Sequence, residues 1–508
     1  MTINHDVLIQ QFILCKTEDN IPENWNIRRS SSWCLGFHQD LPVIEILASD
    51  SSFIGWLLGY PIDINGLLLK KSLQMSVSLE DSSAASQLES SLYAFGGRFV
   101  AIFLTGNISR VYLDPLGSLG IVFCAEQQIA ASSTVLIPYS EDSKDNYELI
   151  NSLDIPIKDN WYPFGLTPRH SVERLLPNHF LDLDNWQSTR HWLTDEITTT
   201  QDVDSSIYEI GSIVKNNIAA FAKNAPVYMA LTAGRDSRML LACAREYLQN
   251  IEFFTIRIPS KGGRLDCEVA SQMAKRFKLN YRVIEFEEAT ETELNEWLHR
   301  TGNCVAGNSW KNARTIKQLD SSRGLLLGLA GEVGRSLYWR VSDTESTYLS
   351  PSELLRRIDL PATPYLKEQA NKWLSNLPIK NTFTVLDIVF IELRLGCWAG
   401  PQQYGHVNNA FRISPFSHRK IMEIMLSLPP DYKRHQMLTN DLIKRFYPEL
   451  LMFPFNEPIG IQRYLWLLKN GDKFINIIQK KQAPQQLFWE NPVSEDEDIE
   501  VLGEGKKR

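Results

Sequence analysis

The chain has 508 residues, 44% hydrophobic and 22% charged, with a net charge of −8. That is enough for two or three domains with full cores, and the wrong sign for a nucleic-acid or anionic-membrane partner. Seven cysteines and nine histidines are scattered without CxxC spacing, which excludes a zinc ribbon or disulfide framework and suits a cytoplasmic protein. No apolar run reaches about 18 residues and no signal-peptide pattern opens the chain, so no membrane association is expected.

Residues 1–195 read as short β-type runs broken by turns: Val7–Leu14, Val43–Ala48, Phe99–Leu104, Arg110–Leu113 and Gly120–Cys124. Gly96–Phe103 and Arg110–Gly117 flank a polar turn at Gly106-Asn107 and predict a hairpin with alternating burial. Phe164–Thr167 and Val172–His179, ending in His191-Trp192, close this region. Residues 196–210 are polar and suit an interdomain connection.

A second domain is expected over 205–470, centred on the stretch PVYMALTAGRDS at Pro226–Ser237. The β-branched and apolar run Val227–Leu231 predicts a strand, Thr232–Ser237 a small-residue turn, and Arg238–Leu248 a helix. Backbone N–H groups at such a helix start favour a phosphate, and Asp236 adds a carboxylate suited to Mg²⁺. Strand candidates follow at Ile251–Ile256, Tyr281–Phe286 and Gly324–Leu329, with a helix over Asp266–Leu279. This βαβαβ order calls for a parallel, doubly wound sheet with ligands at the carboxyl ends of its strands.

Leu231–Ser237, LTAGRDS, resembles the SGGxDS pyrophosphate loop of the ATP pyrophosphatase superfamily, at the place where the asparagine synthetase family carries it. The N-terminal hairpin is similar to the GxFA…RDxxG hairpin of that family's N-terminal-nucleophile glutaminase domain. The resemblance implies an α/β two-domain protein: an antiparallel Ntn-hydrolase-like sandwich, then a doubly wound parallel sheet of the adenine nucleotide alpha hydrolase type with a helical C-terminal part. It also implies ATP and Mg²⁺ as cofactors. Nucleotide contacts would come from Leu231, Thr232, Ala233, Gly234, Arg235, Asp236, Ser237, Ile256 and Gly331, with Asp236 on the metal.

The departures are as informative. A class II glutaminase needs an N-terminal cysteine, whose free amine is the base for its thiol; here the chain reads Met1-Thr2-Ile3-Asn4. Thr2 after loss of Met1, or Cys15 after a cut at Leu14, would be the rescues, and the domain is read as a scaffold without glutaminase chemistry. Gly328–Ser336 resembles the family's SGEGADE segment, keeping Gly331-Glu332 but placing Arg335-Ser336 where an Asp-Glu pair is expected. Glu332 or Asp266 would then substitute for the missing carboxylate, and Arg335 would meet phosphate or carboxylate oxygens.

The remainder predicts helices at Pro351–Arg357, Tyr365–Leu377, Thr384–Trp398 and Arg419–Leu428. Glu392-Leu393-Arg394 and Arg412–Phe416 are similar to the ExR…RxPFLD wall of the acceptor site, and Pro429–Lys433 with Leu438–Pro448 to the PxxxK…LP run. The family's catalytic lysine has no counterpart in Phe455–Pro458, which leaves Lys433, Lys444 or Arg445 to supply its charge. Glu332, Lys433, Arg335 and Glu392 are the expected catalytic residues. Residues 483–508 are a charged tail.

The resemblance implies an ATP-dependent, AMP-forming amide synthetase that joins a small-molecule or peptide carboxylate to an amine, including lactam or macrolactam closure as in β-lactam synthetases and lasso-peptide cyclases. The alternatives are an amidotransferase using glutamine or ammonia, and a nucleotide-binding protein without turnover. A homodimer or a biosynthetic partner protein is the expected protein partner.

Overall fold

The computed structural model describes residues 8–458 except 78, 80, 159, 305–309 and 407–410. Thr2, residues 459–470 of the expected second domain and the tail at 483–508 lie outside the described residues.

In the N-terminal half, two sheets face each other. One runs, edge to edge, through Glu173–Arg174, Val122–Cys124, Ile129–Ala131, Phe12–Cys15, Trp33–Phe37 and Asn26–Ser30, all antiparallel. The other has seven strands, with the predicted hairpin Gly96–Leu104 and Ser109–Leu113 at its centre. Strand alternation explains why Gly96–Leu104 is buried on both faces. Val100 and Ile102 pack between the sheets with Phe12, Leu14 and Trp56, while Phe99, Ala101 and Phe103 face outward under the helix Ala84–Tyr93. The first described strand starts at Phe12, after Gln10 turns the chain with φ 57°, and Val7 of the expected run lies outside the described residues.

The second half holds a five-stranded, wholly parallel sheet. Its strands are β1 (Val227–Ala230), β2 (Ile251–Arg257), β3 (Asn280–Glu285), β4 (Gly324–Leu326) and β5 (Arg412–Ile413), in the order β3-β2-β1-β4-β5. The predicted βαβαβ order is present. Helix α1 (Val203–Ala222) precedes the sheet and starts inside the polar connection, where the Asp202 side chain accepts from Ser205 N at 2.9 Å. Helix α2 (Arg235–Cys243) follows β1, and α3 (Lys261–Phe277) follows β2. The strand order reverses between β1 and β4, the place outside the carboxyl ends of the strands where open α/β sheets bind their ligands.

The two halves share one interior. Leu116, Leu176 and Trp192 from the sandwich belong to the same apolar core as Val227, Leu240 and Phe416. Gly97 N donates to Ser417 O at 2.9 Å and Ser417 Oγ to Gly97 O at 2.6 Å, which fixes the hairpin against the segment after β5. The expected helix over Thr384–Trp398 is α-helical only across Thr382–Val389 and becomes a π-helix over Phe390–Ala399. Among the described residues no helix is long and apolar enough to cross a membrane.

Candidate functional site

The loop after β1 meets the loop after β4 at the sheet's reversal. Helix α2 begins three residues earlier than the sequence pattern suggests, with Gly234 as its N-cap, so Arg235, Asp236 and Ser237 form its first turn. Their N–H groups point out of the helix start with its partial positive charge. Gly328 and Gly331 let the β4 loop close on α2: a Cβ on Gly331 would stand 3.0 Å from Asp236 Oδ1, and one on Gly328 3.1 Å from Asp236 Cβ.

Two carboxylates and two guanidiniums meet there. Arg335 Nη2 donates to both oxygens of Asp236, at 2.8 and 3.0 Å, and lies 3.8 Å from Glu332 Oε1. The Arg335 side chain is 8% exposed, Glu332 15% and Asp236 27%. Glu332 Oε2 is buried without a hydrogen-bond partner. Burial, and then the neighbouring Asp236 carboxylate, push Glu332 up to about 7, against the pull of Arg335. Asp236 is raised by burial, which Arg335 opposes. Arg235 stacks on Phe455, 4.6 Å from the ring centroid, and is lowered by burial and by Arg335.

The loop is internally braced. Ala233 N donates to Asp266 Oδ1 at 2.8 Å, Gly234 N to Thr232 Oγ1 at 3.1 Å, and Thr232 N to Ser237 Oγ at 3.1 Å. A phosphate seated on these donors displaces the side-chain acceptors, all three of which belong to groups that can rotate away. Leu231 is fully buried and offers only its backbone, and Ile256 is half-buried near the carboxyl end of β2.

Sequence reading missed Arg238. This residue is fully buried and donates to Phe453 O at 2.7 Å, to Ala233 O at 2.6 Å and to Pro454 O. It ties the 453–456 segment to the loop, and Asn456 N adds a bond to Ala233 O at 3.0 Å. The place where a lysine was expected thus does border the loop, and Arg235 and Arg238, both over the Phe455 ring, are cations there. An arginine in the apolar register of a predicted helix was the available signal.

Two expected catalytic residues are elsewhere. Lys433 is 1% exposed, ion-paired with Asp387 and 5.1 Å from the Trp339 ring centroid. Burial lowers the lysine and raises Asp387 to about 6. Its charge is paired with Asp387 in the interior. Lys444 and Arg445 are exposed on the helix Met437–Phe446. Glu392 is fully buried between the halves, accepting from Asn178 Nδ2 at 2.8 Å, Arg190 Nη2 at 2.9 Å, Trp373 Nε1 at 2.8 Å and Arg190 Nη1 at 2.5 Å. Every lone pair is engaged; it is a strut between domains.

A resident Mg²⁺ does not fit this donor set. Arg335 occupies both Asp236 oxygens, and among the described residues no three His, Cys, Asp or Glu side chains converge on a metal position. Cys15, the alternative glutaminase nucleophile, is fully buried within a strand paired on both sides. Burial pushes its thiol up to about 12, the reverse of an activated thiolate.

No family model and no curated protein matches the chain. Among solved structures it is similar to the U34-tRNA thiolase NcsA from Methanococcus maripaludis with its [4Fe-4S] cluster, at 12% identity and a TM-score of 0.20, over 49% of this chain and 75% of that one. It is also similar to the glutamine phosphoribosylpyrophosphate amidotransferase from B. subtilis complexed with ADP and GMP, at 11% identity and a TM-score of 0.20, over 72% and 74%. Scores this low decide nothing about the site. The chain's own strand order makes it a mixed α/β protein in which a mostly antiparallel sandwich abuts a parallel sheet, with a cluster of charged side chains at the sheet's reversal.

Proposed function

We propose that the protein is an ATP-dependent, AMP-forming amide synthetase, built from an Ntn-hydrolase-like scaffold and an adenine nucleotide alpha hydrolase-like domain. The observation that carries this reading is the Arg235–Asp236–Arg335–Glu332 cluster at the start of α2, at the sheet's reversal. A substrate carboxylate oxygen attacks the α-phosphorus of ATP, the bond to the leaving oxygen breaks, and pyrophosphate departs against the Thr232–Ser237 backbone. Arg235 and Arg335 offset the charge that grows on it. An amine nitrogen then attacks the acyl carbon, AMP leaves, and the amine proton passes to Glu332, whose value near 7 suits a base at neutral pH.

Any Mg²⁺ arriving with the triphosphate is part of the substrate. The amine belongs to the same molecule as the carboxylate, giving a lactam or macrolactam, or to a second molecule. Exchange of labelled pyrophosphate into ATP, dependent on an added carboxylate and abolished by Asp236→Asn, is the expected result. ATP binding without exchange under any carboxylate would leave a nucleotide-binding protein instead, and glutamate release from glutamine would restore the amidotransferase reading.

A further inference from the structure

A small, partly open cavity lies at the boundary of the two halves, lined by Leu116 and Ser118 of the sandwich, Leu327 and Leu329 after β4, and Gln403 and Arg412 among others. It has room for about one water-sized particle. Arg412 is 8% exposed; its Nε donates to Gln403 Oε1 at 3.2 Å, and its Nη1 is buried without a partner. Arg98, 2% exposed, donates from Nε to the carbonyl of Ser118, a cavity-lining residue, at 3.0 Å, and its Nη2 is also unpartnered.

The charges do not balance. Burial and the neighbouring Arg98 guanidinium push Arg412 down to about 9, and among the described residues no carboxylate forms an ion pair with it. Asp114, the carboxylate that reaches Arg98, already accepts from Leu116 N, Ser118 N and Leu119 N at 3.0 to 3.1 Å. Two buried guanidiniums against one carboxylate leave one positive charge without a counter-charge, and a water molecule supplies none.

We propose that this cavity binds a chloride-sized monovalent anion, with Arg412 donating to it from Nη1 and Arg98 supplying the second positive charge. Anything that binds only the folded state stabilises it in proportion to the logarithm of its concentration.

The test is thermal unfolding of the full chain at constant ionic strength, with chloride replacing gluconate, together with anomalous diffraction from bromide-soaked crystals. The expected outcome is a saturable rise of a few degrees with chloride, lost in Arg412→Gln, and a bromide peak in hydrogen-bond reach of Arg412 Nη1. A chloride-independent melting temperature, an unchanged dependence in Arg412→Gln, or an empty bromide map at the cavity would overturn the proposal. Should Arg412→Gln not fold, the wild-type bromide map decides alone.

Discussion

Glu332, partly buried, and Glu392, fully buried, are glutamates beside an arginine, and they differ in everything that matters for chemistry. Glu392 accepts from three side chains of both halves and is held below the usual carboxylate range, because Arg190 and those donors outweigh its burial. Glu332 has one oxygen without a partner and a second carboxylate at its side, and is pushed up to about 7. A satisfied carboxylate is fixed in charge and position, so it can hold two domains together. An unsatisfied one near neutrality can take a proton.

The largest effect should come from breaking the strut. Glu392→Ala leaves Arg190 and Asn178 buried without their acceptor and should cost about 3–5 kcal/mol in urea unfolding. A loss below about 1 kcal/mol would show that the halves do not depend on this contact. Next, Arg335→Met removes the cation that holds Asp236. Pyrophosphate exchange should fall by roughly 10²–10³-fold with little change in melting temperature, in line with removing one preorganised donor from a developing charge.

How much of this was legible in the sequence follows the same division. Four of the sheet's five strands and the loop were readable, because apolar runs and small-residue turns are local signals; the two-residue strand Arg412–Ile413 was not. The helix start at Arg235 was placed late because the pattern of leucines begins only at Leu240, whereas the helix begins where Gly234 caps it. The settings of Glu392 and Lys433 were not legible, for a different reason. Their partners, Arg190 and Asp387, lie 202 and 46 residues away, and no spacing rule reports whether a buried charge is already neutralised. Arg335 was read as a group for phosphate or carboxylate oxygens, and the carboxylate it meets is the protein's own Asp236.

A smaller effect sharpens the comparison through pH. Glu332 binds its proton more tightly folded than unfolded, so its charged form destabilises the fold: the cost is absent below the unfolded value and grows as pH rises through about 7. Glu332→Gln should therefore stabilise the protein by on the order of 1–2 kcal/mol at pH 8 and not at pH 4. Glu392 has the opposite sign. Its contribution is full above the unfolded value and is lost as pH falls through its lowered folded value.

The central claim is that the cluster at the sheet's reversal carries the reaction and the boundary glutamate carries the fold. It is tested most directly by following pyrophosphate exchange, amide formation and urea unfolding side by side in Glu332→Gln and Glu392→Gln. The account predicts a crossed pattern. Glu332→Gln should keep exchange while slowing amide formation by roughly 10²–10⁴-fold, and Glu392→Gln should lower stability while the folded fraction keeps both half-reactions. Equal loss of exchange and amide formation in Glu332→Gln, or a Glu392→Gln protein that is stable but inactive, would contradict it.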